Sequence, residues 1–124
     1  GDVRSADITS NCTTGYHELP IAVLIGPVTS SSGTITAIAF KNRPHTQFIG
    51  EATADGYSSG NDYYVFGENL TMNLATTYFG DRTGVVYKTV VKPDVVISGK
   101  DEFVNLSADR KINYALMWLK SIQH

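Results

Sequence analysis

At 124 residues with a formal charge of −2, the chain is long enough for one domain with its own core, and its acids and bases are mixed along the sequence. It has no basic stripe to suit a nucleic acid, no polybasic cluster to suit an anionic membrane, and no apolar run of membrane-spanning length. The single cysteine, Cys12, excludes an internal disulfide and stands away from any Cys or His at ligand spacing, so neither a metal nor another cofactor is expected.

Residues Gly1 to Glu18 read as a polar leader without sustained period. No stretch has the pattern of a secretory signal, so the Asn-x-Ser/Thr triplets at Asn11, Asn69 and Asn105 are expected to stay unmodified. From Leu19 to His124 the chain reads as one unit. Pro20 opens the run "IAVLI", apolar at every position, which is the pattern of a strand covered on both faces. Gly26-Pro27 ends it, and a helix is predicted over about Ser31 to Asn42, with Ile35, Ile38 and Ala39 on one face and Lys41 at its negative end. Arg43-Pro44 stops that helix. A second strand is predicted from Thr46 to Gly50, followed by the Gly- and Ser-rich loop "TADGYSSGN".

"DYYVFG" and "LTMNLATTYF" read as further strands. In the second, Leu70, Met72 and Leu74 alternate with Thr71, Asn73 and Ala75, predicting an antiparallel strand with one face covered. "GDRTG" is a turn, and the extended segment after it is broken at Pro93. The chain closes on an amphipathic helix, with Ser107 as its expected cap and Ile112, Ala115, Leu116, Trp118 and Leu119 as its buried stripe. This order of elements indicates an α/β fold with a mixed sheet.

The run "TSSSGT" places Ser30, Ser31 and Ser32 where a strand hands over to a helix. One serine there can simply cap the helix, and on spacing alone that is the simpler reading. A hydroxyl at the same place also lies beside unpaired N–H groups at the positive end of the helix dipole, where an oxyanion formed by its attack would be stabilised.

The stretch "PIAVLIGPVTSSSGTITAIAFKNRPHTQFIGEATADGYSS" resembles the catalytic core of the tail-specific (C-terminal processing) serine peptidases, the family that includes the tricorn protease core. The shared features are P-x-A-V-L, T-x-S, the G-E-x-T motif, the downstream "KPDVVI" and the closing helix "RKINYALMWLK". The resemblance implies the Clp-protease/crotonase-like α/β fold, and it implies that residues 19–124 are the C-terminal part of a peptidase catalytic core, a partial domain. It places the nucleophile on Ser31 and an oxyanion-stabilising backbone N–H on Ser32. It also sets the loop of Gly56, Tyr57 and Ser58 beside the nucleophile, suited to holding an extended peptide. A peptide or protein substrate and an extracytoplasmic location are implied in the same way.

The pattern is broken in three places. Gly56 stands where many members carry a lysine base, Thr34 replaces a glutamate, and the Gly-rich segment that supplies a second oxyanion N–H is absent. His17, His45 and His124 are poorly placed to replace the lysine, whereas Asp81 either holds a base or shapes a turn. Glu51 is either structural or lines the cleft. The departure resembles the branch of the family whose base is a histidine from an earlier part of the chain, which implies a base upstream of Gly1, with self-association or the upstream half closing the exposed core. The alternative implied by the same departures is a non-catalytic module of this fold that binds a retinoid, a lipid or a peptide.

Overall fold

The computed structural model describes residues 18–122. The leader, apart from Glu18, lies outside them, as do Cys12, His17 and His124. Strand β1 (Ile21–Ile25) pairs in parallel with β2 (Thr46–Gly50), and β2 pairs in parallel with the two-residue β5 (Val95–Val96), giving the order β1-β2-β5. Between β2 and β5 the chain forms an antiparallel hairpin of β3 (Ser59–Phe66) and β4 (Leu70–Tyr78), a sheet of its own. The fold is α/β, with its parallel and antiparallel pairings sorted into separate sheets.

Helix α1 (Ser32–Phe40) crosses from β1 to β2 and buries Thr34, Ala37 and Ile38. With Ile25, Phe48 and Val91, the last two of these form the core, flanked by Val23, Phe40, Phe79 and Tyr87. Helix α2 (Arg110–Ser121) packs on β1 and β2. Successive strand residues face opposite sides, so Phe48 points to the α1 core and Ile49, fully buried, points away from it. The β1–β2 pair therefore has α1 on one face and α2 on the other, but the expected full cover of β1 is not met, because Leu24 stays 41% exposed.

Four expectations are corrected at the ends and edges. Helix α1 stops at Phe40, and Lys41 is extended; its Nζ lies 3.8 Å above the Phe48 ring and donates to the Lys92 carbonyl rather than sitting in the last turn. The cap of α2 is Asp109, whose carboxylate accepts from the N–H groups of Lys111 and Ile112, while Ser107 lies in a short 3-10 turn, Leu106–Ala108. Leu116, placed in the buried stripe by its spacing, is 49% exposed, and Lys111 and Ala115 are the buried residues of that helix. The expected covered face of β4 is also absent among the described residues, because every residue of β4 is exposed.

Gly50 fixes how the two long parallel strands end. It has φ of +124°, and a Cβ there would stand 2.1 Å from the Ile25 carbonyl oxygen, so only glycine lets β2 pass so close to the end of β1.

Candidate active site

The connection from β1 to α1 is built around Thr29. Its hydroxyl accepts from the Gly26 N–H at 3.1 Å, and its carbonyl accepts from the Thr34 hydroxyl and from the Ala54 N–H at 3.0 Å. The last bond ties the loop after β2 to the turn that carries the serines. Thr34, in place of the family glutamate, thus faces inward and is fully buried.

Ser31 occupies the N-cap position of α1, but its side chain makes no capping hydrogen bond. Its backbone has φ of 49° and ψ of −122°, the first corner of a type II′ turn, and the Gly33 N–H closes that turn onto the Ser30 carbonyl at 2.9 Å. The corner favours glycine, and a serine held there carries strain of about 1–3 kcal/mol. The residue is exposed. Ser32 follows as the first helical residue and is likewise exposed. Its N–H belongs to the first turn, whose amides have no partner within the helix.

The three loop residues differ among themselves. Gly56 (φ of +77°) and Tyr57 are at the surface, and nothing lies within 4 Å of a Cβ built on Gly56. Ser58 points inward, 1% exposed, with no hydrogen-bond partner for its Oγ. An open trough of about 520 Å³ runs beside the serine turn, bounded by β1 on one side and by Ser32, Gly33, Thr36 and Phe40 on the other.

The family model of peptidase family S41 matches residues 3–97. The chain belongs to that family, the C-terminal processing or tail-specific proteases. Over 77 residues it is 38% identical to the nisin-resistance protein of Lactococcus lactis subsp. lactis, a match that spans 61% of this chain and 24% of the relative. In three dimensions it resembles a lipoprotein from Streptococcus agalactiae with a TM-score of 0.64 and 31% identity, over 82% of this chain and 32% of the lipoprotein chain. The S41 chain thus spans about a quarter to a third of the length of these relatives.

The other polar residues of this S41 chain have defined work. Asp81 is buried and accepts from Asn42 Nδ2, the Thr83 N–H and hydroxyl, the Val85 N–H and the Tyr87 hydroxyl. Its burial raises the carboxyl pKa, but the bonds from Thr83, Tyr87 and Val85 outweigh it and bring the pKa down to about 2. The same arrangement pushes the Tyr87 hydroxyl up to about 12, first through burial and then through the Asp81 bond and charge. Asp81 therefore shapes the turn, and no described histidine is hydrogen-bonded to it.

His45 is the histidine within the described residues; it is exposed, and its ring lies 3.9 Å from Glu18. Glu51 lies 3.8 Å from the ammonium of Lys111, which is 5% exposed and also contacts Asp101 at 2.7 Å. The sequence reading missed Lys111 altogether. No local signal marks it in the sequence, because only the meeting of Gly26, Gly50 and the loop at Asp101 makes an ammonium fit there.

Proposed function

We propose that this chain is part of the catalytic core of a serine endopeptidase, with Ser31 as nucleophile. In this reading the core has the Clp-protease/crotonase-like fold, and residues 19–124 are its C-terminal part. The Ser31 Oγ attacks the peptide carbonyl carbon, and the oxygen that becomes negative is met by the Ser32 N–H at the positive end of α1. The amine leaves with a proton, and water then releases the acyl group from Ser31. The base that accepts the serine proton comes from polypeptide beyond these 124 residues. Gly56 and Tyr57 meet the substrate backbone, while the buried Ser58 ties the loop down through its carbonyl, which accepts from the Phe79 N–H. The supporting observation is the strained, exposed Ser31 whose hydroxyl does not cap its helix. An extracytoplasmic site of action accords with the lipoprotein among the relatives.

The test uses the full-length protein and a fluorophosphonate probe. Wild type is labelled, and Ser31→Ala abolishes labelling while the protein stays folded by circular dichroism. Labelling that persists in Ser31→Ala removes this residue from the chemistry. Gly56 and Thr34, at the positions of the family lysine and glutamate, favour a second reading as a binding module of the same fold. In that case the wild type takes no label, and a fluorescent fatty acid or retinoid binds.

A further inference from the structure

We infer that Thr34 is a positioning residue for Ser31: its buried hydroxyl clasps the first turn of α1 back onto the Thr29 carbonyl and so holds Ser31 at its strained corner. The catalytic part of the inference rests on the reading of Ser31 as nucleophile; the structural part rests on the turn alone.

A strained backbone persists only where its surroundings hold it from more than one side. On the strand side of Ser31, Thr29 is fixed to the frame. Its hydroxyl accepts from the Gly26 N–H, its carbonyl accepts from the Ala54 N–H, and its methyl lies 3.5 Å from the place of a Cβ on Gly33. On the helix side, Thr34 is fully buried, and its Oγ1 donates to that same Thr29 carbonyl at 3.3 Å. The bond closes a ring around Ser30, Ser31, Ser32 and Gly33, so the corner is tied at both ends to one fixed carbonyl. Inside the ring, the bond from the Gly33 N–H to the Ser30 carbonyl defines the corner without anchoring it to the rest of the molecule.

The residue type makes the second argument. Thr34 is the third residue of α1, the place from which a glutamate reaches back as acceptor to the N–H of a serine cap. A hydroxyl can donate, which a carboxylate cannot, and here it reaches past the cap residue to a carbonyl. The serine side of the usual pair is also unused, since Ser31 makes no side-chain capping bond. Stability alone does not call for this hydroxyl. The Thr29 carbonyl already has the Ala54 N–H, and a valine would fill the same buried space without a polar group. What the bond adds is the position of the segment that it encloses.

The experiment uses the full-length protein, with Thr34→Val as the variant of like shape and Thr34→Ser as the variant that keeps the hydroxyl. Labelling by a fluorophosphonate is timed over a range of probe concentrations, which separates the saturating rate from the half-saturating concentration. Thr34→Val is expected to lower the saturating rate about ten-fold, with the half-saturating concentration and the final extent of labelling unchanged. Thr34→Ser restores the rate. A loss of folded protein would instead lower the extent and leave the rate as in wild type. Hydrogen exchange at the Gly33 amide quickens in Thr34→Val and not in Thr34→Ser, while Val23 and Phe48 stay protected in both. Should the valine variant fail to fold, Thr34→Ala carries the same expectations. A wild-type saturating rate in Thr34→Val, unchanged exchange at Gly33, or equal losses in the valine and serine variants overturns the inference. If the wild type takes no label, the nucleophile reading falls, and the Gly33 exchange alone decides whether Thr34 holds the corner.

Discussion

At the scale of single residues, strain and burial separate the candidate site from its frame. Ser31 sits at a corner that glycine occupies without cost, so Ser31→Gly relieves strain, less the extra entropy glycine has when unfolded. The net expectation is a gain of about 1 kcal/mol in urea denaturation, with Ser31→Ala close to wild type. A glycine variant less stable than the alanine variant would show that the corner is unstrained. Asp81 gives the opposite kind of residue. Its folded pKa of about 2 lies below the ordinary 3.8, so its stabilisation is present above pH 3.8 and is lost as pH falls through about 2. The shift corresponds to about 2 kcal/mol. Tyr87 reports the other side of the same bond, with stability present below pH 10 and lost as pH rises toward about 12, so the two are counted once. Asp81→Asn should cost about 2 kcal/mol at neutral pH and flatten the urea midpoint between pH 2 and 4. A variant with the wild-type acid slope would remove Asp81 as its source. The turn that carries Ser31 was legible in the sequence because its Gly-Pro break and serine run are local, and so was the turn-forming part of Asp81. The bonds from Asn42 and Tyr87 to Asp81 were not, because they join residues that only folding brings together.

At the scale of elements, boundaries followed local chemistry wherever one signal stood alone. The range of β2 was read correctly, since Pro44 precedes it and Gly50 ends it. At the start of α2 the sequence reading took Ser107 as the cap and passed over Asp109, whose carboxylate serves instead and also accepts from the Glu102 N–H, a bond that only folding makes. That bond, with those from Ile112 and Lys111, holds the Asp109 carboxyl below its ordinary pKa. Asp109→Ala is therefore expected to lower the melting temperature and fray the first turn of α2, whereas Ser107→Ala leaves both unchanged. Thermal melts with amide exchange at Lys111 and Ile112 decide between them. Equal effects of the two substitutions would return the cap to Ser107.

At the scale of the whole molecule, the two sheets have unequal support. The alternation in β4 announced a covered face, and the strand did form, but sequence periodicity says only that a face can be covered, not by what. Tyr64, Phe66, Leu70, Met72 and Leu74 share one face of the hairpin, each of them more than 40% exposed, and no described helix or strand packs substantially against it. The hairpin joins the core through its base, where the Phe79 N–H meets the Ser58 carbonyl and Phe79 and Tyr87 lie against the buried cluster. The β1–β2 pair, by contrast, is held between α1 and α2, with Phe48 and Ile49 almost wholly buried. Opening the hairpin uncovers little apolar surface, so it costs less free energy than opening the core. In native-state hydrogen exchange, the paired amides of β3 and β4 should exchange through an opening that leaves those of Val23, Phe48 and Ile49 protected. Low concentrations of urea should accelerate the second group and scarcely affect the first, because the urea dependence scales with the surface exposed. If both groups merge into one exchange free energy with one urea slope, the hairpin opens together with the core, and its apolar face is covered in the intact protein.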